Sequence, residues 1–418
     1  MELPQRILLL WIFVPPLVIF YLSYTLQLHN LFPQFKDMNE LRTLLSSAFF
    51  FVFKPPLGSS TWNELIAKVQ EGGSGRKPFA RRIVAVGDLH GDLPNARKVL
   101  QFSGVTDDLG NWSGNVDFFV QTGDIIDRGD DTIALFDWMD QLRDQAAAVG
   151  GTMLSHLGNH EWMNAIEIAT FGSVAERQKF ITTGRIGRTW AVNYTTASRL
   201  PLHPSLGPPN TPFPPESKNL HYQKEDAELD ISYYYDSHLP LSHSAISFAH
   251  GGLSPTYQDL TPFPARINEL SDSLLKKLQT RTPPPPHPPA KYPGLPDSST
   301  QAEKALYDSN GPVWYRGWAL DPDEKVCADV EPVLAKTGTR RMIMGHTPDF
   351  RVIIIDTGIS HAYGGVLSAL SIYYTLTPVG ADEEKRWIEK EVISALYPDT
   401  QEILVVDERE VVGDFPAN

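Results

Sequence analysis

The sequence predicts an α/β layered fold with central sheets, and three observations carry that expectation. Short, β-branched apolar runs recur, each ending in glycine and a polar cluster. Helical stretches lie between them, the strand–helix alternation of a layered fold. The runs are also continuous rather than alternating, which suits strands buried on both faces. In chain order they are "RRIVAVGDLHG" from Arg81, "VDFFVQTGDIIDRGDD" (116–131), "GTMLSHLGNHE" (151–161), "SAISFAHGG" (244–252) and "RRMIMGHTP" (340–348). "VIIIDTG" (352–358) reads as a sixth strand without obvious ligands, and "DTIALFDWMDQLRDQAAA" as the helix after the second run. In such folds ligands gather beyond the carboxyl ends of strands. Every polar cluster in this chain sits there.

Length and composition narrow the classes. A chain of 418 residues allows one large domain or two ordinary ones. Its 42% apolar content supports a packed core, and its formal net charge of −14 argues against nucleic-acid binding through the net field. The single cysteine, Cys327, excludes an intrachain disulfide and any multi-thiolate zinc site, and is expected to be a partly buried structural thiol.

The N-terminus carries an uncharged apolar run, Ile7 to Leu26, about the length that crosses a hydrocarbon core. No small-residue cleavage site follows, which favours a retained membrane anchor over a cleaved secretory signal or a buried helix. Sequons at Asn111 and Asn193 point towards a single-pass protein of the secretory pathway with a lumenal catalytic domain. A second apolar run, Leu44 to Phe53, is too short to span. The expected organisation is an anchor or signal segment at 1–30, a linker at 31–79, a catalytic domain at 80–380 and a C-terminal tail at 381–418. Proline-rich stretches at 201–218 and 282–296 read as extended surface insertions. The alternative is a polyproline ligand for a partner protein.

The polar clusters supply one constellation. Asp88 and His90 come from the first run, Asp124 from the second and Asn159 with His160 from the third. His250 comes from the fourth and His346 from the fifth. Hard oxygens with imidazoles suit Mn, Fe or Zn better than Ca or Cu(I). Asp124 is the candidate bridge between two ions, with Asp88 and His90 on one side and Asn159, His250 and His346 on the other. Two such cations acidify a bridging water and bind the oxygens of a phosphate ester. His160, beside Asn159, is placed to protonate a leaving oxygen, with Asp127 orienting it. Arg128 offers a planar fork to phosphate oxygens, and Arg316, in "GPVWYRGW", a second. Taken singly, a Gly-Asp turn is often only a turn and a lone histidine a structural residue. Five motifs together at strand ends outweigh those readings.

"GDLHG", "GDIIDRG", "GNHE", "HGG" and "GHT" are similar to the motifs of calcineurin-like metallophosphoesterases, in the phosphoprotein phosphatase branch. "GDIIDRGDDT", "GNHEWMN", "HGGLSP" and "DTGISHAYGG" resemble the Shewanella-like phosphatases, over about Arg81 to Leu376. The resemblance implies a four-layer αββα sandwich and a di-metal phosphatase. It implies Asp88, His90, Asp124, Asn159, His250 and His346 as ligands, His160 as general acid with Asp127 its partner, and Arg128 and Arg316 as phosphate clamps. The chain departs from the family pattern by shortenings after Asn164 and after Pro348, both beside the site. The expected activity is hydrolysis of phosphate monoesters, phosphoproteins first, by direct attack of a metal-bridging hydroxide. The alternatives are a diesterase or nucleotide hydrolase on the same site, and a catalytically impaired membrane-tethered scaffold.

Overall fold

The computed structural model describes residues 76–166, 184–215, 240–241, 243–280, 295–344 and 352–415. The chain divides into two compact units, Met1–Gly72 and Gly73–Asn418, and the described residues belong to the second. The apolar runs at 7–26 and 44–53, His346 and most of the stretch 282–296 lie outside them. Among the described residues no helix is long and apolar enough to cross a membrane.

Among the described residues eleven strands form two sheets. They are β1 (Phe79–Val86), β2 (Phe118–Gln121), β3 (Thr152–His156), β4 (Tyr194–Thr195), β5 (Ala197–Pro201), β6 (Ala245–Ala249), β7 (Arg341–Met344), β8 (Val352–Ile354), β9 (Ala369–Val379), β10 (Arg386–Leu396) and β11 (Gln401–Val412). One sheet has seven strands in the order β11-β10-β9-β1-β2-β3-β4, the other four in the order β5-β6-β7-β8. Both are mixed. β1, β2, β3 and β4 run parallel, as do β6, β7 and β8. β9 pairs antiparallel to β1, and β5 antiparallel to β6.

Side-chain alternation fixes how the layers meet. Ile83, Ala85, Phe118 and Val120 cluster with Leu200, Ile246, Phe248 and Ile343 of the other sheet, so the sheets pack face to face. Their neighbours Val84, Val86 and Phe119 pack instead with helix residues. Those helices are α1 (Leu93–Phe102) and α2 (Thr132–Ala148), buried through Val99, Leu100, Leu135, Phe136 and Met139. A shorter helix, α3 (Asn159–Ala165), follows β3 directly. Then come α4 (Arg185–Asn193), α5 (Ala265–Thr280), α6 (Gln301–Ala305), α7 (Gly317–Leu320) and α8 (Asp323–Thr337). Met342 and Met344 of β7 share the helix-bearing cluster with Leu274 of α5 and Val330 of α8.

Three expectations are corrected. The stretch from 381 is no tail, because most of it forms β10 and β11 and widens the large sheet. Its inward positions carry Glu389 and Glu391, which read as exposed in sequence but are buried against arginines of the other sheet. The proline-rich stretch from 201 is not a surface loop at its start: Pro201 ends β5, and Leu202 and His203 are buried. Cys327 is exposed on α8, because its neighbours Val326 and Val330 form that helix's apolar stripe.

Candidate active site

The ends of β1 and β2 are zipped together by backbone bonds. Leu89 and His90 donate their N–H groups to Asp124 O at 3.0 and 2.9 Å, and Gly91 donates to Ile125 O at 2.7 Å. Gly129 N–H returns to His90 O at 2.8 Å and Asp131 N–H to Gly91 O at 2.9 Å. The cost is local strain. His90, Asp124, Asp127 and Arg128 adopt positive φ of 43°, 55°, 70° and 72°. Non-glycine residues in that region cost about 1–3 kcal/mol each and cluster at functional sites. Close approach also demands glycine at 158, where a Cβ would lie 2.1 Å from Asp124 Oδ1.

Three imidazoles converge on one carboxylate oxygen. The Nε2 atoms of His250, His90 and His160 lie 3.3, 3.8 and 3.9 Å from Asp124 Oδ2. Each ring is aimed by its other nitrogen. His90 Nδ1 donates to Ile126 O at 3.0 Å, and His250 Nδ1 to Thr122 O at 3.0 Å. His160 Nδ1 donates to Asp127 Oδ2 at 2.7 Å. Asn159 Oδ1 accepts from His250 Nε2 at 2.8 Å, which brings the amide into the cluster. Asp88 stands between two rings, 3.7 Å from His90 Nε2 and 3.8 Å from His250 Nδ1. The sequence grouping places Asp88 with His90 on the side bridged by Asp124; here Asp88 also nears His250.

These residues fit metal ions. Two sets of three donors, His90–Asp124–His160 and Asp88–Asp124–His250, share Asp124. Within each set the donor atoms lie within 4.8 Å of one another. Asp88 Oδ1 is buried without a hydrogen-bond partner, an acceptor that calls for a cation. The electrostatics agree. Burial pushes the Asp88 carboxyl well above the usual range, and the charges of Asp124, Asp356 and Glu161 push the same way. Burial alone would depress His250, but the carboxylates of Asp124 and Asp88 raise it to about 10. Burial would raise Asp124, yet His250, His160 and His90 hold it low. A cation would meet the same demand for positive charge.

Sequence reasoning missed Glu161. It is buried, and its carboxylate accepts four backbone N–H groups: Asp124, Ile125, Ile126 and Gly158, at 2.9, 2.8, 3.2 and 2.8 Å. It therefore fixes the turn that carries Asp124 while capping α3. Burial and the charge of Asp124 push it up to about 7. A readable signal existed, since Glu at the third position of a helix can reach back to the N-cap N–H, as Glu161 does to Gly158.

His160 and Asp127 form a dyad at the edge of the cluster. Asn164 Nδ2 donates to both Asp127 Oδ2 and His160 O, each at 2.9 Å, and locks the pair. The shortening after Asn164 thus leaves the dyad's support in place. Burial would lower His160, but its bond to Asp127 and the charges of Asp124 and Asp127 raise it. Arg128 follows Asp127 on the same strained turn. Arg316 stands on a separate loop, at the cap of α7, lining a cavity of about 520 Å³ with Tyr307 and Trp314. That loop meets the cluster through Gly251 N–H, which donates to Pro312 O at 2.8 Å.

Comparison with known proteins follows the same lines. A Schizosaccharomyces pombe protein described as uncharacterized is 31% identical over 312 residues, 69% of this chain and 76% of its own. Shewanella-like protein phosphatase 2 of Arabidopsis thaliana is 37% identical over 109 residues, 26% of each chain. Shewanella-like protein phosphatase 1 of Plasmodium berghei is 31% identical over 83 residues, 20% of this chain and 23% of its own. The crystal structure of a mutant cold-active protein tyrosine phosphatase shares the fold, with a TM-score of 0.50 at 18% identity over 79% of this chain and 81% of that one. Residues 81–350 match the calcineurin-like phosphoesterase family. With its strand-end carboxylates and imidazoles gathered on Asp124, the chain belongs to the calcineurin-like metallophosphoesterases and has Shewanella-like protein phosphatases among its relatives.

Proposed function

We propose that the protein is a di-metal phosphoprotein phosphatase that hydrolyses phosphate monoesters. The observation that carries this is the His160–Asp127 dyad beside the buried donors Asp88, His90 and His250 gathered around Asp124. The packed sheets with helix-bearing outer faces support the four-layer αββα reading. Asp88, His90, Asp124, Asn159 and His250 would hold the ions, with His346 the further ligand expected from sequence. Mn, Fe or Zn suits that donor set. Bound there, the ions would supply an acidified water and neutralise phosphate oxygens.

The chain's own groups would do the rest. Arg128 would grip the phosphate oxygens by its planar fork, with Arg316 as a second grip from its own loop. His160, whose affinity for its proton is raised by the bond to Asp127, would deliver that proton to the leaving oxygen. Glu161 would keep Asp124 in its strained turn. The reading includes a membrane tether through residues 7–26, and release of the chain by alkaline carbonate would rule the tether out.

The test is kinetic. His160→Asn should cut kcat on an aryl phosphate by about 100-fold or more while bound metal stays at the wild-type level. Asp127→Asn removes the carboxylate charge that helps raise His160, so the basic limb of kcat should move to lower pH. Loss of metal in His160→Asn would make that residue a ligand rather than the acid. Faster turnover of a bis-aryl phosphate than of the monoester would favour the diesterase. A folded wild-type chain without bound metal would leave the scaffold reading.

A further inference from the structure

β2 ends in a residue that its apolar pattern does not call for. Gln121 follows Phe118, Phe119 and Val120 and is fully buried. A buried amide is costly unless its donors and acceptor are met. Gln121 Oε1 accepts from Gly123 N–H at 2.9 Å, and its Nε2 donates to Gly123 O at 2.6 Å and to Gly87 O at 3.3 Å. The main chain of Gln121 is held as well, since its carbonyl accepts from Nδ1 of the buried His156 at 2.9 Å. The β1–β2 ladder has its last pair at Val86 and Gln121, so the amide joins the two chains one step beyond it.

Those bonds reach three peptide planes, and each plane serves a candidate metal donor. A peptide is planar, so holding its N–H or its C=O fixes the other. Gly87 C=O belongs to the plane that leads into Asp88. Gly123 C=O belongs to the plane that leads into Asp124, whose N–H is held from the other end by Glu161 at 2.9 Å. Gly123 N–H shares its plane with Thr122 C=O, the group that aims His250 through Nδ1 at 3.0 Å. Gly123 itself has a φ of 105°, and a Cβ there would lie 2.6 Å from Gly158 N. Glycine is required at that turn and is also the least restrained residue, so bonds from elsewhere must hold it.

We infer that Gln121 is a positioning residue for the metal site: its one amide sets Asp88, Asp124 and His250 relative to one another before a cation binds. The inference rests on the metal reading for its function but on these hydrogen bonds for its geometry.

The experiment uses the full chain, stripped by a chelator and titrated with Mn against a competing chelator. Gln121→Met keeps the length of the side chain but makes none of its bonds, and should weaken Mn binding about 10- to 100-fold. Leu142→Ala, which empties buried volume in α2, is the control: it should lower the denaturant midpoint at least as far and leave Mn affinity unchanged. Gln121→Glu keeps the acceptor for Gly123 N–H but donates to a carbonyl only when protonated, so its deficit against the wild type should shrink as pH falls. In the metal-free protein, hydrogen exchange at Gly123 N–H should quicken about five- to tenfold in Gln121→Met. Mn affinity in Gln121→Met within about twofold of the wild type overturns the inference. So does an equal loss of affinity in Leu142→Ala, which would make the role merely structural, or a deficit in Gln121→Glu that does not shrink. If Gln121→Met fails to fold, the pH profile of Gln121→Glu decides. A wild type that binds no Mn would defeat the metal reading alone, and the rate of exchange at Gly123 would then decide whether the amide holds the turn.

Discussion

Two regions of this molecule bury carboxylates, and they neutralise them differently. Between the sheets, Glu389 bonds Arg340 and Arg409 at 2.6 and 2.5 Å, and Glu391 bonds Arg341 at 2.8 Å. At the strand ends, Asp88, Asp124 and Glu161 are met by imidazoles and backbone N–H groups instead. An orphan oxygen does not separate the two regions, since Glu391 Oε1 is as unpartnered as Asp88 Oδ1. The charge balance does. Burial would raise Glu389, but its arginines pull it below the usual range. Asp88 goes well above. One cluster balances its carboxylates with the protein's own arginines, and the other is arranged for a cation.

Opposite responses should follow when each is broken. Glu389→Gln leaves the largely buried Arg340 guanidinium without its nearest carboxylate, so it should cost about 3–5 kcal/mol while bound metal is unchanged, read by denaturant unfolding and metal analysis. Asp88→Asn should lose metal and turnover yet stabilise the chelator-treated protein. The sign follows from linkage. Folded Asp88 keeps its proton to higher pH than the unfolded chain does, so metal-free stability should fall as pH rises above the ordinary carboxylate value of 3.8. Asp88→Asn should flatten that fall, and destabilisation of the metal-free protein by this variant would collapse the comparison. Glu161→Gln sharpens it with a smaller effect. It keeps the volume but replaces one accepting oxygen, with its two N–H bonds, by an amide NH2, so metal affinity should drop about 10- to 100-fold in a competition titration with a chelator.

Legibility in the sequence tracks whether a signal is local. β1, β2, β3, β6 and β7 were readable because a buried strand is largely apolar, and each is followed in sequence by a polar cluster. α2 was readable from its length and apolar content. β10 and β11 were not, because glutamates on an inward face look solvated until arginines from another sheet arrive. Glu161 was hidden for a related reason: its partners include Asp124 to Ile126, on a loop more than thirty residues earlier in the chain.

The sequence by itself determined the strand ends and the chemistry placed on them. Those follow from residue type and spacing within a few positions, which local backbone preference and burial decide. Only the tertiary structure decided which carboxylates meet arginine and which meet imidazole. It alone set Asp88 between two histidines and clasped Asp92 to His361 across the chain. Charges interact through space with whatever folding brings near them, and that proximity is a property of the packed layers rather than of any segment.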